Sequence, residues 1–476
     1  MSQAQSRLTE ERPSAAPRPG TTVAVLAFSG IVVSLMQSLV IPLIAELPQL
    51  LNASAANIAW AITATLLAAA VATPVMGRLG DMYGKRRMLL VSLALLVAGS
   101  VLCGLSDSLL PFLVGRILQG LSAGVVSLGI SIMRDELPAE KLPGSTALMS
   151  ASLGVGGALG LPAAAFIADN FDWHVLFWTS AAFGAAALAS VLALIPESGV
   201  RTGGRFDFAG AIGLSAGLVC LLLAVSKGAD WGWGSPTTLG LFTVAAVVLL
   251  VWGWFELRTA QPLVDLRTTA RRQVLLTNVA SIVFGFAMFA MSLVLPQLLQ
   301  LPEATGYGMG KSLLTVGLVM APMGLVMMAV APVSAAITRT RGPKATLMLG
   351  AIVVAAGYGI DVVLMSQVWQ LVLASCIIGA GIGLAYGAMP ALIMGAVPIS
   401  ETAAANSLNT LMRSIGTATS SAVIGVVLAH MTTPFGPAGR ALPSEAGFRT
   451  VLALGAGAAL LALAVAAFLP RRVTAP

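Results

Sequence analysis

The sequence predicts an all-α integral membrane protein of fourteen transmembrane helices, laid out as two pseudo-symmetric six-helix bundles plus two inserted helices. Three observations carry this. Hydrophobic residues make up 57% of the 476-residue chain and charged residues only 9%, where a soluble domain carries about a quarter. The apolar residues gather into fourteen runs of spanning length, which is roughly 17–25 residues each. Segments of the first half also recur in the second, in the same order and at a near-constant offset.

In chain order the runs are 22–44, 57–76, 88–106, 109–132, 146–168, 174–195, 208–226, 237–255, 274–298, 313–337, 345–366, 369–397, 406–429 and 448–469. Residues 1–21 ahead of them are polar, mix Arg with Glu10 and Glu11, and read as a disordered cytoplasmic tail. They lack the short basic region of a signal peptide, so the first run stays in place as a span. Residues 471–476 form a second short tail. An even number of spans puts both termini on one side, and the positive-inside rule says which. With the N-terminus cytoplasmic, twenty of the 26 Lys and Arg residues fall on the cytoplasmic side. Lys227, Lys311, Arg440 and Arg449 fall outside, and Arg116 and Arg413 lie within spans. The net charge of +7 is therefore a record of topology. Nucleic-acid binding would need the basic residues gathered on one face, and they are scattered over short loops.

The repeat fixes the organisation. Ser38-Leu39-Val40-Ile41-Pro42 matches Ser292-Leu293-Val294-Leu295-Pro296 at an offset of 254, Gly84 matches Gly342 at 258, and Pro138-Ala139-Glu140 corresponds to Pro398-Ile399-Ser400-Glu401 at 260. The bundles are thus 22–200 and 259–470, with helices 7 and 8 inserted at 201–258. Parallel repeats place a substrate cavity at their interface, near the midplane.

The densest motif lies between the second and third runs: Gly77-Arg78-Leu79-Gly80-Asp81-Met82-Tyr83-Gly84-Lys85-Arg86-Arg87, with a thinned copy at Arg341-Gly342-Pro343-Lys344. Gly77 and Gly84 permit a tight turn and close helix approach. Asp81 can accept hydrogen bonds from a neighbouring helix end or an arginine. Within the fourth run, Arg116 and Gln119 share a helix face, about 10 Å of helix from the outer boundary. An arginine at that depth costs about 2.5 kcal/mol or more unless it meets water or protein; snorkelling to the surface is the alternative. In the fifth run, Gly154, Gly156, Gly157 and Gly160 followed by Pro162 suit close helix packing and a kink, and Gly379, Gly383 and Gly387 make a similar ridge. Asn409 and Arg413 share a face in the thirteenth run. They either line a cavity or contact the other half, with snorkelling of Arg413 again the alternative.

Acids are scarce inside the spans. Asp361 is the one well inside a run, about 24 Å from its inner end, which leaves it either a proton carrier or a residue at the outer headgroups. Glu46 and Asp169 stand at span ends. Cys103, Cys220 and Cys376 fall in apolar runs and His174 and His430 lie far apart, so no metal site or disulfide is expected.

The loop Gly77-x-Leu79-x-Asp81-x-x-Gly84-Lys85-Arg86 resembles the signature loop of the major facilitator superfamily. The fourteen-span plan, with Arg205-Phe206-Asp207-Phe208-Ala209-Gly210 leading into span 7, resembles its drug:proton antiporter branch; the likeness covers residues 22 to about 470. The resemblance implies the major facilitator fold and a signature loop (Gly77, Asp81, Gly84, Lys85, Arg86) that locks the two halves on the cytoplasmic face. A topology-setting basic loop without a gating role is the alternative. Arg116-Ile117-Leu118-Gln119-Gly120 resembles the family's second motif, whose arginine helps proton transfer. Gly156, Gly160 and Pro162 resemble its antiporter motif, with two departures. Leu161 separates glycine from proline, and Ala163, Ala164 and Ala165 replace the closing glycines. The family often carries an aspartate in span 1; Leu35-Met36-Gln37-Ser38-Leu39 has none. Gln37 can hydrogen-bond a substrate but cannot carry a proton. Proton-coupling candidates are therefore Arg116, Asp361 and Glu46, and substrate-cavity candidates Gln37, Gln119, Asn409 and Arg413.

The function these features imply is secondary transport, as a proton-driven exporter of a small lipophilic substrate. The chain is expected as a monomer in lipid, in a bacterial inner membrane, without cofactor or nucleic acid. A facilitator or importer of a small metabolite is the alternative with the same fold. An enzyme would need a nucleophile–base pair or a metal cluster, and direct use of ATP a Gly-rich phosphate loop; neither is found in the sequence.

Overall fold

The computed structural model describes residues 19–41, 43, 46–435 and 440–470. Fourteen helices among them are long and apolar enough to cross a membrane. They are α1 (Pro19–Ser38), α2 (Ala55–Tyr83), α3 (Lys85–Gly104), α4 (Leu109–Glu136), α5 (Leu142–Asn170), α6 (His174–Leu194), α7 (Phe208–Trp231), α8 (Pro236–Glu256), α9 (Arg272–Gln300), α10 (Leu313–Arg341), α11 (Pro343–Val363), α12 (Val368–Met394), α13 (Thr402–His430) and α14 (Glu445–Ala467). Hydrocarbon offers amides no partner, so each span must satisfy its own backbone, as a helix does. Side chains close the exposed ends: Ser54, Asp207, Ser235, Ser312 and Ser444 each accept a hydrogen bond from an early amide of the following helix. α4 tightens into a 3-10 turn at Leu121–Gly124, and α10 breaks at Val330, ahead of Pro332.

Each expected run is a helix, several boundaries shift by a few residues, and three shifts change the reading. α1 starts at Pro19, inside the stretch assigned to the tail, and ends at Ser38 instead of residue 44. Beyond Ser38 the chain turns through the Ile41 N–H to Ser38 carbonyl bond, 3.1 Å, just before Pro42, which has no N–H to continue a helix. Pro42 itself, residues 1–18 and residues 471–476 lie outside the described residues. The stretch read as a hairpin loop from Gly77 to Arg87 is almost wholly helical: α2 runs to Tyr83, α3 begins at Lys85, and the turn is Gly84 alone, at φ +116°. A membrane boundary does not end a helix; a glycine in a left-handed conformation does.

Each bundle has its own core. In α1–α6 it gathers Leu26, Leu89, Leu96, Phe112 and Phe177, and in α9–α14 Phe284, Leu298, Tyr358, Ile378 and Phe448. The bundles meet along two seams, α5 against α10 and α12, and α2 against α13. α7 packs with α8 and fits the second seam: its Ala211, Leu214, Leu218 and Leu222 join Ala70, Leu408 and Leu411, with Leu263 and Val264 of the following linker. α8 turns Leu239, Val247, Leu250 and Trp254 outward, as a lipid-facing helix does. A small antiparallel hairpin, β1 (Thr432–Phe435) and β2 (Arg440–Pro443), joins α13 to α14, with Thr432 opposite Pro443.

Candidate functional site

At the end of α2, Asp81 is completely buried. Its Oδ1 accepts the Ala403 N–H at 3.1 Å and its Oδ2 the Ala404 N–H at 2.8 Å. These are early amides of α13, which a helix leaves without internal partners. Glu401, which precedes α13, makes no side-chain cap. Asp81 therefore caps a helix of the opposite bundle, and its carboxylate sits at the positive end of that helix's dipole.

Around this contact lies a buried charge cluster. Lys85, one turn on and fully buried, holds Asp135 of α4 at 2.7 Å and lies 3.8 Å from Asp81. Arg134 crosses the seam to the Thr402 hydroxyl at 2.6 Å and the Val397 carbonyl at 3.1 Å. Ser407 donates to Ser127 at 2.8 Å. Every side-chain hydrogen bond found between the two bundles among the described residues lies at this end. Gly77 has no room for a side chain, since a Cβ would come within 2.6 Å of Ser407 Cβ and 2.7 Å of the Ala403 carbonyl. Gly77 thus serves close approach and Gly84 the turn. Arg86 stays within its own bundle, donating to the Leu192 carbonyl at 2.7 Å.

Arg116 does not snorkel. It is 2% exposed and donates to Gln119 Oε1 at 2.6 Å and to the Ala61 carbonyl at 3.4 Å. Gln119 in turn donates to Ser100 at 2.9 Å, and Ser100 meets Ser180 at 2.7 Å. Ser180 also touches Met36 Sδ. This chain of neutral hydroxyls and amides ties α4, α3, α6 and α1 together inside the first bundle, and no carboxylate joins it among the described residues.

The second arginine behaves differently. Arg413 is half-buried, and its guanidinium lies 4.7 Å from the centre of the Tyr386 ring. Asn409, one turn earlier, donates to Asn278 Oδ1 at 2.9 Å and to Ser281 at 2.7 Å. These contacts join α9, α12 and α13 within one bundle, and among the described residues no hydrogen bond or ion pair carries Arg413 across the halves.

Asp361 is completely buried near the end of α11, and neither carboxylate oxygen has a hydrogen-bond partner among the described residues. It faces the bundle interior, two residues before the helix ends at Val363. Asp361 and Arg116 lie in different bundles and are not brought together. Glu46 is exposed, ahead of the short helix Leu47–Leu50, and Gln37 is exposed on α1. Gly156 and Gly160 let α5 close onto α1 at Ile31, Ser34 and Ser38, while Pro162 on the same helix packs against Gly317 of α10.

Four residues of interest escaped the sequence reading. Arg134 was counted only as a topological charge. Asn278 and Tyr386 are polar groups in apolar runs, and that alone could have marked them. Glu256, 2% exposed at the end of α8, was hidden because that position looks like a solvated helix end.

With this geometry in hand, comparison with known proteins is direct. The family model of the Major Facilitator Superfamily matches residues 26–421. Multidrug resistance protein 3 of Bacillus subtilis (strain 168) is 26% identical over 384 residues, covering 79% of this chain and 73% of that one. The tetracenomycin C resistance and export protein of Streptomyces glaucescens is 27% identical over 421 residues, covering 87% and 76%. The solved structure of the proton:xylose symporter XylE, bound to 6-bromo-6-deoxy-D-glucose, superposes with a TM-score of 0.63 at 13% identity, over 95% of this chain and 96% of that one.

Proposed function

The chain belongs to the major facilitator superfamily, a multi-pass transporter of a small molecule, and on that footing we propose that it is a proton-driven exporter of lipophilic drugs, antibiotics or related metabolites. It works by alternating access between the bundles 22–200 and 259–470, as a monomer in a bacterial inner membrane with both termini cytoplasmic. The names of its relatives, a multidrug resistance protein and an antibiotic exporter, support the substrate class, and the distribution of Lys and Arg supports the orientation.

The latch at Asp81 is the cytoplasmic gate. Gly77 brings α2 against α13, Gly84 turns the chain, Lys85 pairs with Asp135 beside Asp81, and Arg86 anchors the turn to its own bundle. With the Asp81 contacts in place the gate is closed on this reading, and opening it uncaps α13. The observation that carries proton coupling is Asp361, a buried carboxyl with no fixed partner. A charge held that way in the membrane is costly, so the group exchanges its proton as its surroundings rehydrate during the cycle. Arg116 and Glu46 are the other candidates for proton transfer. Gln37, Gln119, Asn409 and Arg413 are the groups offered to substrate.

The test is proton movement by purified protein in liposomes when lipophilic compounds are added, comparing the parent with Asp361→Asn. Substrate-dependent proton flux lost in the variant is the expected result. Flux that survives moves the carrier to Arg116 or Glu46. Transport without any proton movement would replace the exporter with a facilitator.

A further inference from the structure

Around Arg413 the second bundle assembles buried donors without acceptors. The guanidinium stacks on Tyr386 and forms no ion pair among the described residues. Tyr386 is 1% exposed, and its hydroxyl has no hydrogen-bond partner among the described residues. Asn278 is 4% exposed; its Oδ1 is taken by Asn409, while its Nδ2 has no partner among the described residues. Contacts link the residues: Arg413 to Tyr386, and Asn278 to Asn409 one turn before Arg413. Ser281 touches Asn409 at 2.7 Å and Met389 Sδ at 3.1 Å, and Met389 stands three residues from Tyr386 on α12. Arg413 and Asn409 are one turn apart on α13.

Two buried neutral donors beside a half-buried cation lack the partners that buried polar groups ordinarily find. A ligand oxygen that only accepts, and carries negative charge, satisfies all three through charge-assisted bonds. The place is right for a ligand. Arg413 lies about 9 Å along α13 from Ser407, whose bond to Ser127 closes the seam, so the cluster stands just past the gate. Arg413 keeps part of its surface open, while its ring partner is buried.

We infer that Arg413, Tyr386 and Asn278 form an anion-recognition subsite and that the transported compounds are amphiphiles bearing a carboxylate or phenolate. The inference rests on the exporter reading and narrows its substrate class. The anionic oxygen of such a molecule docks on the three donors. A small inorganic anion such as chloride shares that chemistry.

The experiment uses the full-length protein in proteoliposomes with aryl carboxylates from benzoate to pyrenebutyrate, each paired with its methyl ester. The expected result is that acids are moved about tenfold better than their esters. Arg413→Gln and Tyr386→Phe should remove that preference, lowering transport of each acid about tenfold, towards the level of its ester. Tyr386→Phe deletes only the unpartnered hydroxyl, so its fold is retained even where Arg413→Gln is unstable. Esters moved as well as acids, or a preference that survives both substitutions, would overturn the inference while leaving an exporter. Thermal stabilisation by chloride in place of gluconate, with no preference for acids, would assign the site to an inorganic anion and also overturn it. No transport of either member of any pair would remove the exporter reading together with the subsite.

Discussion

Gly84 ends α2 at φ +116° and Gly342 ends α10 at φ +84°, so both repeats turn between their second and third helices on a left-handed glycine. Their surroundings then part. Three residues before Gly84 stands Asp81, buried and capping α13 across the seam. Three residues before Gly342 stands Arg339, exposed. Where Lys85 is sealed between two carboxylates, the second repeat has Pro343 and then Lys344, which donates to the Ala467 carbonyl at 2.7 Å and the Leu469 carbonyl at 2.6 Å. That cation closes the end of α14 in its own bundle, where the dipole is negative. The counterpart of Gly77 is Ala335, buried near Gly144 of α5. Duplication therefore preserved the turn in both copies, but the latch depends on one acid and one close-approach glycine present in the first.

Substitutions can break this comparison. Asp81→Ala leaves two early amides of α13 and Lys85 short of a partner, a loss of about 2–4 kcal/mol at the seam. Transport in inverted vesicles is expected to fall at least about tenfold with expression intact, and full activity would sink the latch. Gly77→Val is next. Its side chain must displace the Ala403 carbonyl and Ser407, a strain of about 1–3 kcal/mol that holds the seam ajar. A cysteine introduced by Ser407→Cys should then label faster with a water-soluble maleimide than in the Gly77 parent; equal rates count against the close-approach role. Lys344→Ala is the mildest, removing a helix-end cation contact of about 0.3–1 kcal/mol. Transport should change by less than about twofold on that scale, and a loss like that of Asp81→Ala would make the two turns equivalent.

Much of this was legible in the chain. Hydropathy marks all fourteen helices, since a span must be apolar over its whole length. The repeat offsets locate the inserted pair. The spacing of Gly77, Asp81 and Gly84 singled out the turn, and it proposed a helix end as one partner of Asp81 without saying which helix. The partner is α13, 322 residues away for Ala403, and no local pattern records a contact at that separation. Arg116 and Arg413 looked alike in sequence, each polar at a shared-face spacing inside an apolar run. Packing separates them: one is absorbed by a neutral chain through Gln119, Ser100 and Ser180, the other rests on an aromatic face beside donors left open.

The number of spans, their order, the duplication and the turn glycines follow from composition and local backbone preference, because water and lipid act on each segment separately. Which helix Asp81 caps, which arginine stays unpaired, that Asp361 is sealed inside its bundle and that α7 fills the α2–α13 seam were decided only when the bundles packed. A buried polar group takes its role from the partners that packing brings or withholds, and those partners lie on other helices.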